Sequence, residues 1–431
     1  MKGTEGKDPE GVPSGVGIEL EYMIVDRETL DVLPVCDEVI RSVSGAYDSE
    51  IERGPLRWSN ELVLHVIELK TNGPASDIEA LPAQFQADVE TINGILEPMN
   101  GRLLPSAMHP WMNPERETHL WPHEYSPVYE AYDSIFGCRG HGWSNLQSMH
   151  INLPFAGDDD FGRIHAAVRL ILPLLSGLAA ASPVMDGRVT GFPDTRLEVY
   201  RKNQAGFPSV AGRIVPEPVY TEREYEEVIL EPMYRDLAPY DSRGILRHEW
   251  LNSRGAIARF DRGTIEIRVL DIAECPLMDL TIAAAVRGLL DCLMEETWTS
   301  TETQKGYPQD NLARFFDLSI AEAERTPVKD AAYLAQFGFP DAGAATVGDV
   351  WRHLFETELG RRLARDWHTP MEFLIERGPL ARRILERLGP RPSEGELHRC
   401  YADLGDCLAT GTPFGGASDS DAAAEKRPLY S

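Results

Sequence analysis

Alternating hydrophobic and polar residues mark several β-strands along this 431-residue chain. In the first strand, residues 16–25 (VGIELEYMIV), the apolar positions 18, 20 and 22 alternate with Glu19 and Glu21. Because successive side chains of a strand point to opposite faces, one face is apolar and the other carries both carboxylates. Similar patterns predict further strands over residues 57–71, 102–108, 148–154 and 263–271.

Helical periodicity occupies most of the chain outside these strands. It predicts helices over 78–97, 160–181, 221–230, 277–296, 311–316, 321–324, 347–359, 370–377, 381–388 and 394–407. The apolar run 164–184 has nearly the length of a membrane span, but Arg169 and Pro173 interrupt it and its flanks are acidic, so we interpret it as a buried core helix. Residues 191–218 are rich in Gly, Pro and Arg, and we expect them to form a long ordered loop over a site.

These elements indicate an α+β fold, in which a mostly antiparallel sheet is covered by helices and followed by a helical C-terminal region. We expect one domain over residues 15–300, which contains the sheet, and a helical region over 301–409 packed on it. Residues 1–14 and 410–431 are poor in bulky apolar side chains and are expected to be flexible tails.

The charge balance limits the possible partners. The chain has 69 acidic and 42 basic residues, a formal net charge of −27. Nucleic acids and anionic membrane surfaces need a basic footprint, so this balance argues against both. The polar N-terminus lacks the apolar core of a signal peptide, and the six cysteines show no CxxC pairing. We therefore expect a cytoplasmic protein with reduced thiols, which could form a homo-oligomer.

Three of the predicted strands carry two polar side chains at positions i and i+2. The pairs are Glu19 with Glu21, His150 with Asn152, and Glu266 with Arg268. This spacing puts both members of a pair on one face, about 7 Å apart along the strand. Each pair alone also suits a solvated face, a structural histidine or a cross-strand ion pair. Their occurrence together, on strands whose other face is strongly apolar, favours one shared site.

Carboxylates gathered on a covered sheet face repel one another, and divalent cations relieve that repulsion. Carboxylate oxygens with one imidazole suit Mg²⁺ or Mn²⁺, and Mg²⁺ in proteins is usually completed by substrate phosphates. The pattern therefore predicts a Mg²⁺ site that works on a nucleoside triphosphate. Arginines on the same face would neutralise the transferred phosphoryl group.

The region 57–71 adds two more glutamates, Glu61 and Glu68, which are seven residues apart. In a straight strand they would point to opposite faces, so either a bulge intervenes or only one of them belongs to the site. We favour Glu68. His65 shares the face of Glu61, and we expect it at the surface.

Several strings resemble, in order and separation, the glutamate–cysteine ligase family of the second type, which includes the bacterial carboxylate–amine ligases. They are GIELEYMIVD at 17–26, IELKT at 67–71, SAMHPW at 106–111, QSMHINLP at 147–154, AAASPVMDG at 179–187, the stretch 196–201, and RGTIEIRVLD at 262–271. The resemblance covers about residues 15–295. It implies a glutamine-synthetase-like catalytic sheet with two or three Mg²⁺ ions. It also implies that ATP phosphorylates a carboxylate and that an amine then displaces the phosphate.

The resemblance also implies roles for individual residues. The implied metal ligands are Glu19, Glu21, Glu68, His150 and Glu266. Arg268 would contact phosphate, and Arg196 and Arg201 would meet phosphate or a substrate carboxylate. We count Arg268 and Arg196 as catalytic, and Arg201, Arg259 and Arg268 as cofactor-binding.

The chain departs from the family pattern at four places. Ser148 replaces the first histidine of the family's His-x-His string, residues 152–154 (NLP) replace the glycine region that follows it, and His65 stands where an acidic residue is common. The stretch 251–262 is less like the family, and its arginines, Arg254, Arg259 and Arg262, are expected to read a substrate unlike glutamate. These departures affect the expected substrates more than the metal–ATP chemistry.

The sequence thus predicts an ATP- and Mg²⁺-dependent ligase that forms a γ-glutamyl-type amide through an acyl phosphate. Its substrates would be an amino acid and an amine, with glutamate and cysteine as the defaults.

Residues 115–132, rich in aromatic and histidine side chains, form either a lid or a packed loop. Two alternatives remain. One is a guanidino-phosphotransferase, although no cysteine occupies an obvious active-site string. The other is a non-catalytic nucleotide or amino-acid binding protein.

Overall fold

The computed structural model describes residues 15–340 and 345–416; the expected tail 1–14 and residues 417–431 of the second tail lie outside the described residues. The strands are β1 Gly17–Asp26, β2 Glu50–Arg53, β3 Leu56–Asn60, β4 Val66–Thr71, β5 Gly101–Leu104, β6 Ser148–Pro154, β7 Val184–Met185, β8 Arg188–Val189, β9 Ala256–Arg259, β10 Thr264–Asp271, β11 Pro327–Val328 and β12 Ala345–Thr346.

Helices account for most of the remaining chain. The α-helices are α1 Cys36–Ser44, α2 Leu81–Leu96, α3 Pro114–Glu117, α4 Ser126–Phe136, α5 His141–Ser144, α6 Gly157–Ala179, α7 Thr195–Asn203, α8 Pro208–Ala211, α9 Glu222–Tyr225, α10 Glu231–Leu237, α11 Pro276–Met294, α12 Thr301–Lys305, α13 Gln309–Glu322, α14 Ala331–Ala335, α15 Val347–Leu354, α16 Gly360–Arg362, α17 His368–Arg377, α18 Leu380–Leu388 and α19 Glu394–Thr410. Short 3₁₀ or π turns occupy Glu97–Met99, Glu226–Leu230, Glu249–Leu251, Ala323–Arg325, Phe355–Leu359 and Arg365–Trp367.

One eight-stranded antiparallel sheet organises the structure. Seven strands follow the order β2-β3-β4-β1-β6-β10-β9, and β5 pairs with the other end of β1. The long strand β1 is central, with Glu21 opposite Glu68 of β4 and Glu19 opposite His150 of β6. The predicted α+β fold with a mostly antiparallel sheet is confirmed. The register also brings the polar pairs of separate strands side by side.

The apolar face of the sheet packs against helices. On β1, Ile18, Leu20 and Tyr22 are fully buried, as the alternation predicts. Helix α6 packs on β10 and on α11, and α11 in turn packs on α2. Helix α6 is long and apolar enough to cross a membrane, but 94% of its most apolar stretch is buried inside the protein. The interpretation of this run as a buried core helix is confirmed.

The C-terminal helices share the hydrophobic core of the sheet, since one continuous cluster of buried side chains includes residues from both regions. A buried ion pair between Arg383 of α18 and Glu274 also joins them. The backbone of Phe414 closes this contact: its N–H donates to Glu274 Oε1 at 3.1 Å, and its carbonyl accepts from Arg383 Nη1 at 2.8 Å. Residues 410–416, the start of the expected tail, therefore pack on the fold in part.

Two local expectations are wrong. Residues 191–218 are not a long loop, because Asp194 caps helix α7 by accepting from Leu197 N at 3.0 Å, and α8 follows. His65 is not at the surface; it is fully buried, with Nε2 2.9 Å from the Ser144 carbonyl oxygen. In both cases a tertiary or capping contact outweighs the local composition.

Candidate active site

The polar face of the sheet forms the floor of a cavity of about 1110 Å³. Its walls come from helices α4, α5 and α7 and from residues between 245 and 253. The predicted site residues that line it are Glu19, Glu21, Glu68, His150, Arg196 and Arg268. Glu266 is buried beside them, 3.6 Å from His150 Nδ1. Side chains from β1, β4, β6 and β10 therefore converge on one surface.

His150 lies at the centre of the acidic cluster. Its Nδ1 is 2.9 Å from Glu19 Oε2 and 3.6 Å from Glu266 Oε1, and its Nε2 is 3.9 Å from Glu21 Oε1. Asn152, two residues further along β6, donates to Glu19 Oε1 at 3.0 Å. The imidazole thus contacts three of the predicted metal ligands at once.

Ser148 stabilises the second carboxylate of β1. Its backbone N–H and its hydroxyl donate to Glu21 Oε2 at 2.7 and 2.9 Å, and the hydroxyl oxygen is 2.9 Å from His150 Nε2. Where the resemblance implies a histidine, Ser148 therefore supplies a small hydrogen-bonding group that orients both Glu21 and His150.

Glu61 and Glu68 both belong to the site. The region 57–71 is not one strand but an antiparallel hairpin of β3 and β4, so the seven-residue separation does not place the two side chains on opposite faces. Both residues line the cavity. Glu68 accepts from Ser59 Oγ at 2.5 Å and pairs with Lys70 Nζ at 3.0 Å, and Lys70 also pairs with Glu50 at 2.9 Å.

The pKa shifts of the buried glutamates and of His150 indicate an excess of negative charge in the acidic cluster. Burial would raise the pKa of Glu19, but the hydrogen bond and charge of His150 outweigh it and lower the pKa to about 2. Burial alone would lower the pKa of His150, yet its carboxylate neighbours raise it to about 9. Burial raises the pKa of Glu68 to about 7 despite Lys70, and burial with the charges of Glu68 and Glu21 raises that of Glu61 well above its usual value.

The donor set fits a divalent cation. The ligand atoms of Glu19, His150 and Glu266 lie within 4.8 Å of one another, and so do those of Glu21, Glu68 and His150. Carboxylate oxygens with one imidazole nitrogen are ligands of Mg²⁺ and Mn²⁺. The carboxylates around His150 favour its protonated form, and burial favours the neutral form of Glu68, so the pKa of each group is raised. A cation would neutralise the same negative charge.

Arg268 stands beside this cluster in a β-bulge. The pairing of β10 with β6 shifts register between Ile267 and Leu270, and bulges of this kind re-aim side chains next to functional sites. Its Nε pairs with Glu266 Oε1 at 2.7 Å, and its Nη1 donates to the Asn252 carbonyl oxygen at 3.2 Å. These two contacts fix the guanidinium of Arg268 at the cavity wall.

Arg196 reaches the cavity from the first turn of α7. It is 2% exposed, and its Nε donates to Asp271 at the end of β10. Asp271 also accepts from Ala181 N at 2.8 Å and from Ser182 Oγ at 2.7 Å. This buried carboxylate therefore fixes the arginine, whose terminal nitrogens lie 3.4 Å from the Arg268 carbonyl oxygen.

Two arginines predicted to bind cofactor do not line the cavity. Arg201 pairs with Glu198 and, at 2.7 Å, with Asp317. Arg259 pairs with Asp261 at 3.1 Å and lies 3.6 Å from Glu249. Unlike Arg196 and Arg268, these two arginines pair with carboxylates away from the cavity.

Of the three arginines expected to read the substrate, only Arg262 lines the cavity. Arg254 is buried and pairs with Glu217 at 2.6 Å. Residues 115–132 contribute both to a wall and to packing: Tyr125 and Tyr129 line the cavity, whereas Trp121 is 1% exposed.

Sequence reasoning missed several cavity residues. Lys70 follows Glu68 at i+2, so the spacing that identified the other pairs also points to it. Ser59 faces Glu68 across the β3–β4 hairpin, and only the register reveals it. Tyr200 and Gln204 lie in and after a helix that the composition did not predict.

Carboxylates, an imidazole and arginines gathered on one antiparallel sheet are the arrangement expected of an ATP-dependent carboxylate–amine ligase, and the match to a family of such ligases assigns the chain to that class. The model of glutamate-cysteine ligase family 2 matches residues 15–403. The chain belongs to this family, which confirms the resemblance and argues against a guanidino-phosphotransferase.

Two similar proteins illustrate the relationship. A protein of Archaeoglobus fulgidus is 35% identical over 282 residues, which cover 65% of this chain and 75% of that protein. The crystal structure of glutamate–cysteine ligase from Francisella tularensis in complex with AMP matches 95% of this chain and 93% of that chain, with a TM-score of 0.56 and 12% identity. At that identity the likeness shows a shared fold.

Proposed function

We propose that this protein is a Mg²⁺-dependent ligase that uses ATP to join an amino-acid carboxylate to an amine through an acyl phosphate, with glutamate as the default acid. The observation that carries this proposal is the convergence of Glu19, Glu21, Glu68, His150 and Glu266 at one cavity, next to Arg268. The AMP bound to the Francisella relative supports an adenine nucleotide as the second ligand.

The two groups of ligand atoms would hold the metal. Glu19, His150 and Glu266 form one set, and Glu21 and Glu68, also near His150, form the other. Mg²⁺, or Mn²⁺ in its place, would supply positive charge to the phosphate oxygens of ATP. His150 would bind it as the neutral imidazole, so the proton that its carboxylate neighbours favour would be released on metal binding.

The reaction divides into two displacements. A carboxylate oxygen of the acid attacks the γ-phosphorus of ATP, and ADP leaves with the electrons of the broken P–O bond. The amine nitrogen then attacks the acyl carbon, the phosphate group leaves with the electrons of the broken C–O bond, and a carboxylate of the cavity accepts the proton that the nitrogen loses. Arg268 and Arg196 stabilise the negative charge that spreads over the phosphoryl oxygens, and their fixed positions reduce the reorganisation that this needs.

The cavity walls protect the acyl phosphate from water. Helix α4 contributes Tyr129 and Tyr132, and α5 contributes Trp143. These three rings line the same cavity as the polar floor of the sheet. Water exclusion there favours transfer to the amine over hydrolysis.

Release of ADP from Mg–ATP in the presence of paired amino acids and amines tests the proposal. Glu19→Gln and Glu266→Gln should each lower turnover about 100-fold or more, because each removes a charged ligand at the site where phosphoryl charge develops. Glu52→Gln is a matched control, since Glu52 lies on the same sheet with a side chain 69% exposed and does not line the cavity.

Near-normal ADP release in both ligand variants would refute the metal assignment. Nucleotide binding without ADP release, across all pairs of acid and amine, would instead identify a non-catalytic binding protein.

A further inference from the structure

One wall of the cavity is aromatic. Tyr132 of α4 lies 5.3 Å from Trp143 and 5.7 Å from Trp250, measured between ring centroids, and His248 stacks on Trp250 at 5.3 Å. All four rings line the cavity. A surface of this kind gains most by burying a flat apolar group, since aromatic rings combine large contact area with preferred pair geometries.

Two buried polar atoms, on residues that line the same cavity, have no partner among the described residues. They are the hydroxyl of Tyr200 and Oε1 of Gln204. Gln204 is 3% exposed. Its amide nitrogen donates to Ser253 Oγ at 3.2 Å, whereas its amide oxygen accepts no hydrogen bond from the described residues. The two residues are four apart at the C-terminal end of α7 and therefore lie on one side of it.

An acceptor without a donor is costly when it is buried. Both residues line the cavity, so a ligand there could supply the missing hydrogen bonds. Gln204 Oε1 can only accept, and the Tyr200 hydroxyl can accept or donate. The pair therefore suits a group that carries N–H donors, such as an amine.

The aromatic wall also adjoins the reacting end of the cavity. Burial raises the pKa of Tyr132, and the nearby charge of Arg268 partly offsets that rise. Arg268 is the group beside the metal ligands at which phosphoryl charge would develop. The wall is thus close to the place where the amine must attack.

We propose that the amine substrate carries an aromatic ring on a short aliphatic chain, with the ring against Tyr132, Trp143 and Trp250 and the amine N–H groups donating to Gln204 Oε1 and the Tyr200 hydroxyl. This inference rests on the proposed ligase function and names its second substrate. A small polar amine such as cysteine would leave the three rings in contact with water.

The test compares 2-phenylethylamine with ethylamine, which present the same reacting group, at fixed glutamate and Mg–ATP. ADP release and amide formation are both measured. We expect kcat/KM to be about tenfold or more higher for 2-phenylethylamine, since even single apolar groups change discrimination by that factor in a fitted pocket. Trp143→Ala and Trp250→Ala should remove most of this preference and leave KM for ATP unchanged.

Two further variants sharpen the test. Gln204→Leu removes the acceptor at similar size, and it should raise KM for both amines without changing KM for ATP. Tyr240→Ala is the control for loss of an aromatic side chain, since Tyr240 is 63% exposed and does not line the cavity. Circular dichroism and thermal unfolding would confirm that each variant is folded. The comparison of the two amines uses the unaltered protein, so it tests the inference even where a variant fails to fold.

Equal kcat/KM for the two amines would overturn the inference while the ligase function stands. A raised KM for ATP in Trp250→Ala, with KM for the amine unchanged, would also overturn it and assign the wall to the nucleotide base. Absence of ADP release with every pair would refute the ligase function itself. Binding of the two amines can also be measured by calorimetry in the presence of Mg²⁺ and a non-hydrolysable ATP analogue. Because this measurement needs no turnover, it tests the aromatic preference separately from the ligase function. Equal affinities for the two amines would refute the aromatic preference.

Discussion

His165 offers a sharp test of how the core beneath the active site responds to pH. It lies in α6, fully buried, with its ring stacked on Phe161 at 5.1 Å between centroids. Its Nδ1 is 2.8 Å from the Val219 carbonyl oxygen, and Nε2 has no hydrogen-bond partner among the described residues. Burial and the nearby charge of Arg169 lower its pKa from 6.5 to about 3.

The sign of the effect follows from proton binding. Between pH 6.5 and 3 the unfolded chain binds a proton at this residue and the folded protein does not, so the free energy of unfolding rises with pH in that range. The stabilisation from His165 is complete above pH 6.5 and is lost as the pH falls toward 3. With an unfolded pKa of about 6.5, the loss between about pH 8 and about pH 5 is about 2 kcal/mol.

Urea unfolding of the protein and of His165→Asn at about pH 8 and about pH 5 measures this quantity. The asparagine places an amide N–H where Nδ1 lies, so it can donate to the Val219 carbonyl, and it does not titrate. We expect the unaltered protein to lose about 2 kcal/mol more stability than the variant over this interval. Parallel losses in the two proteins would refute the assignment of a neutral, buried His165 and the packing argument behind it.

Three other predictions follow from named contacts. Arg268→Ala should lower kcat about 100-fold with a smaller change in KM for ATP, because its charge matters most as phosphoryl charge spreads; steady-state kinetics with an unchanged kcat would remove that role. Arg201→Ala should leave both constants near normal, since Arg201 pairs with Glu198 and Asp317 away from the cavity, and a large rise in KM for ATP would restore it to the site. Arg383→Met should cost about 3–5 kcal/mol in urea unfolding by leaving Glu274 buried and unpaired; a loss under about 1 kcal/mol would show that the pair contributes little.

Much of the candidate site could be predicted from local spacing. Side chains at i and i+2 of a strand share a face whatever the rest of the chain does, so the sequence assigns Glu19 with Glu21, and Glu266 with Arg268, to shared faces. Spacing does not specify which strands are neighbours. The order β4-β1-β6-β10, which brings Glu68, Glu19 and His150 together, depends on long-range pairing.

Three departures of the structure from the sequence predictions each have their own reason. Arg201 and Arg259 have the right charge for phosphate, but carboxylates distant in sequence or in neighbouring turns neutralise them. The role of Glu61 stayed open because a hairpin turn between β3 and β4 cannot be distinguished from a bulge by spacing alone. The helix over 195–203 was missed because the Gly- and Pro-rich composition around it outweighed the cap at Asp194.

The sequence by itself determined which side chains share a strand face and that the other face must be apolar, because alternation along a strand is fixed by local backbone geometry. Tertiary structure alone decided which of the charged groups meet, which arginines are already neutralised, and that an aromatic wall stands beside the acidic floor. Those outcomes depend on strand order, register and helix placement, which arise from contacts between residues far apart in the chain.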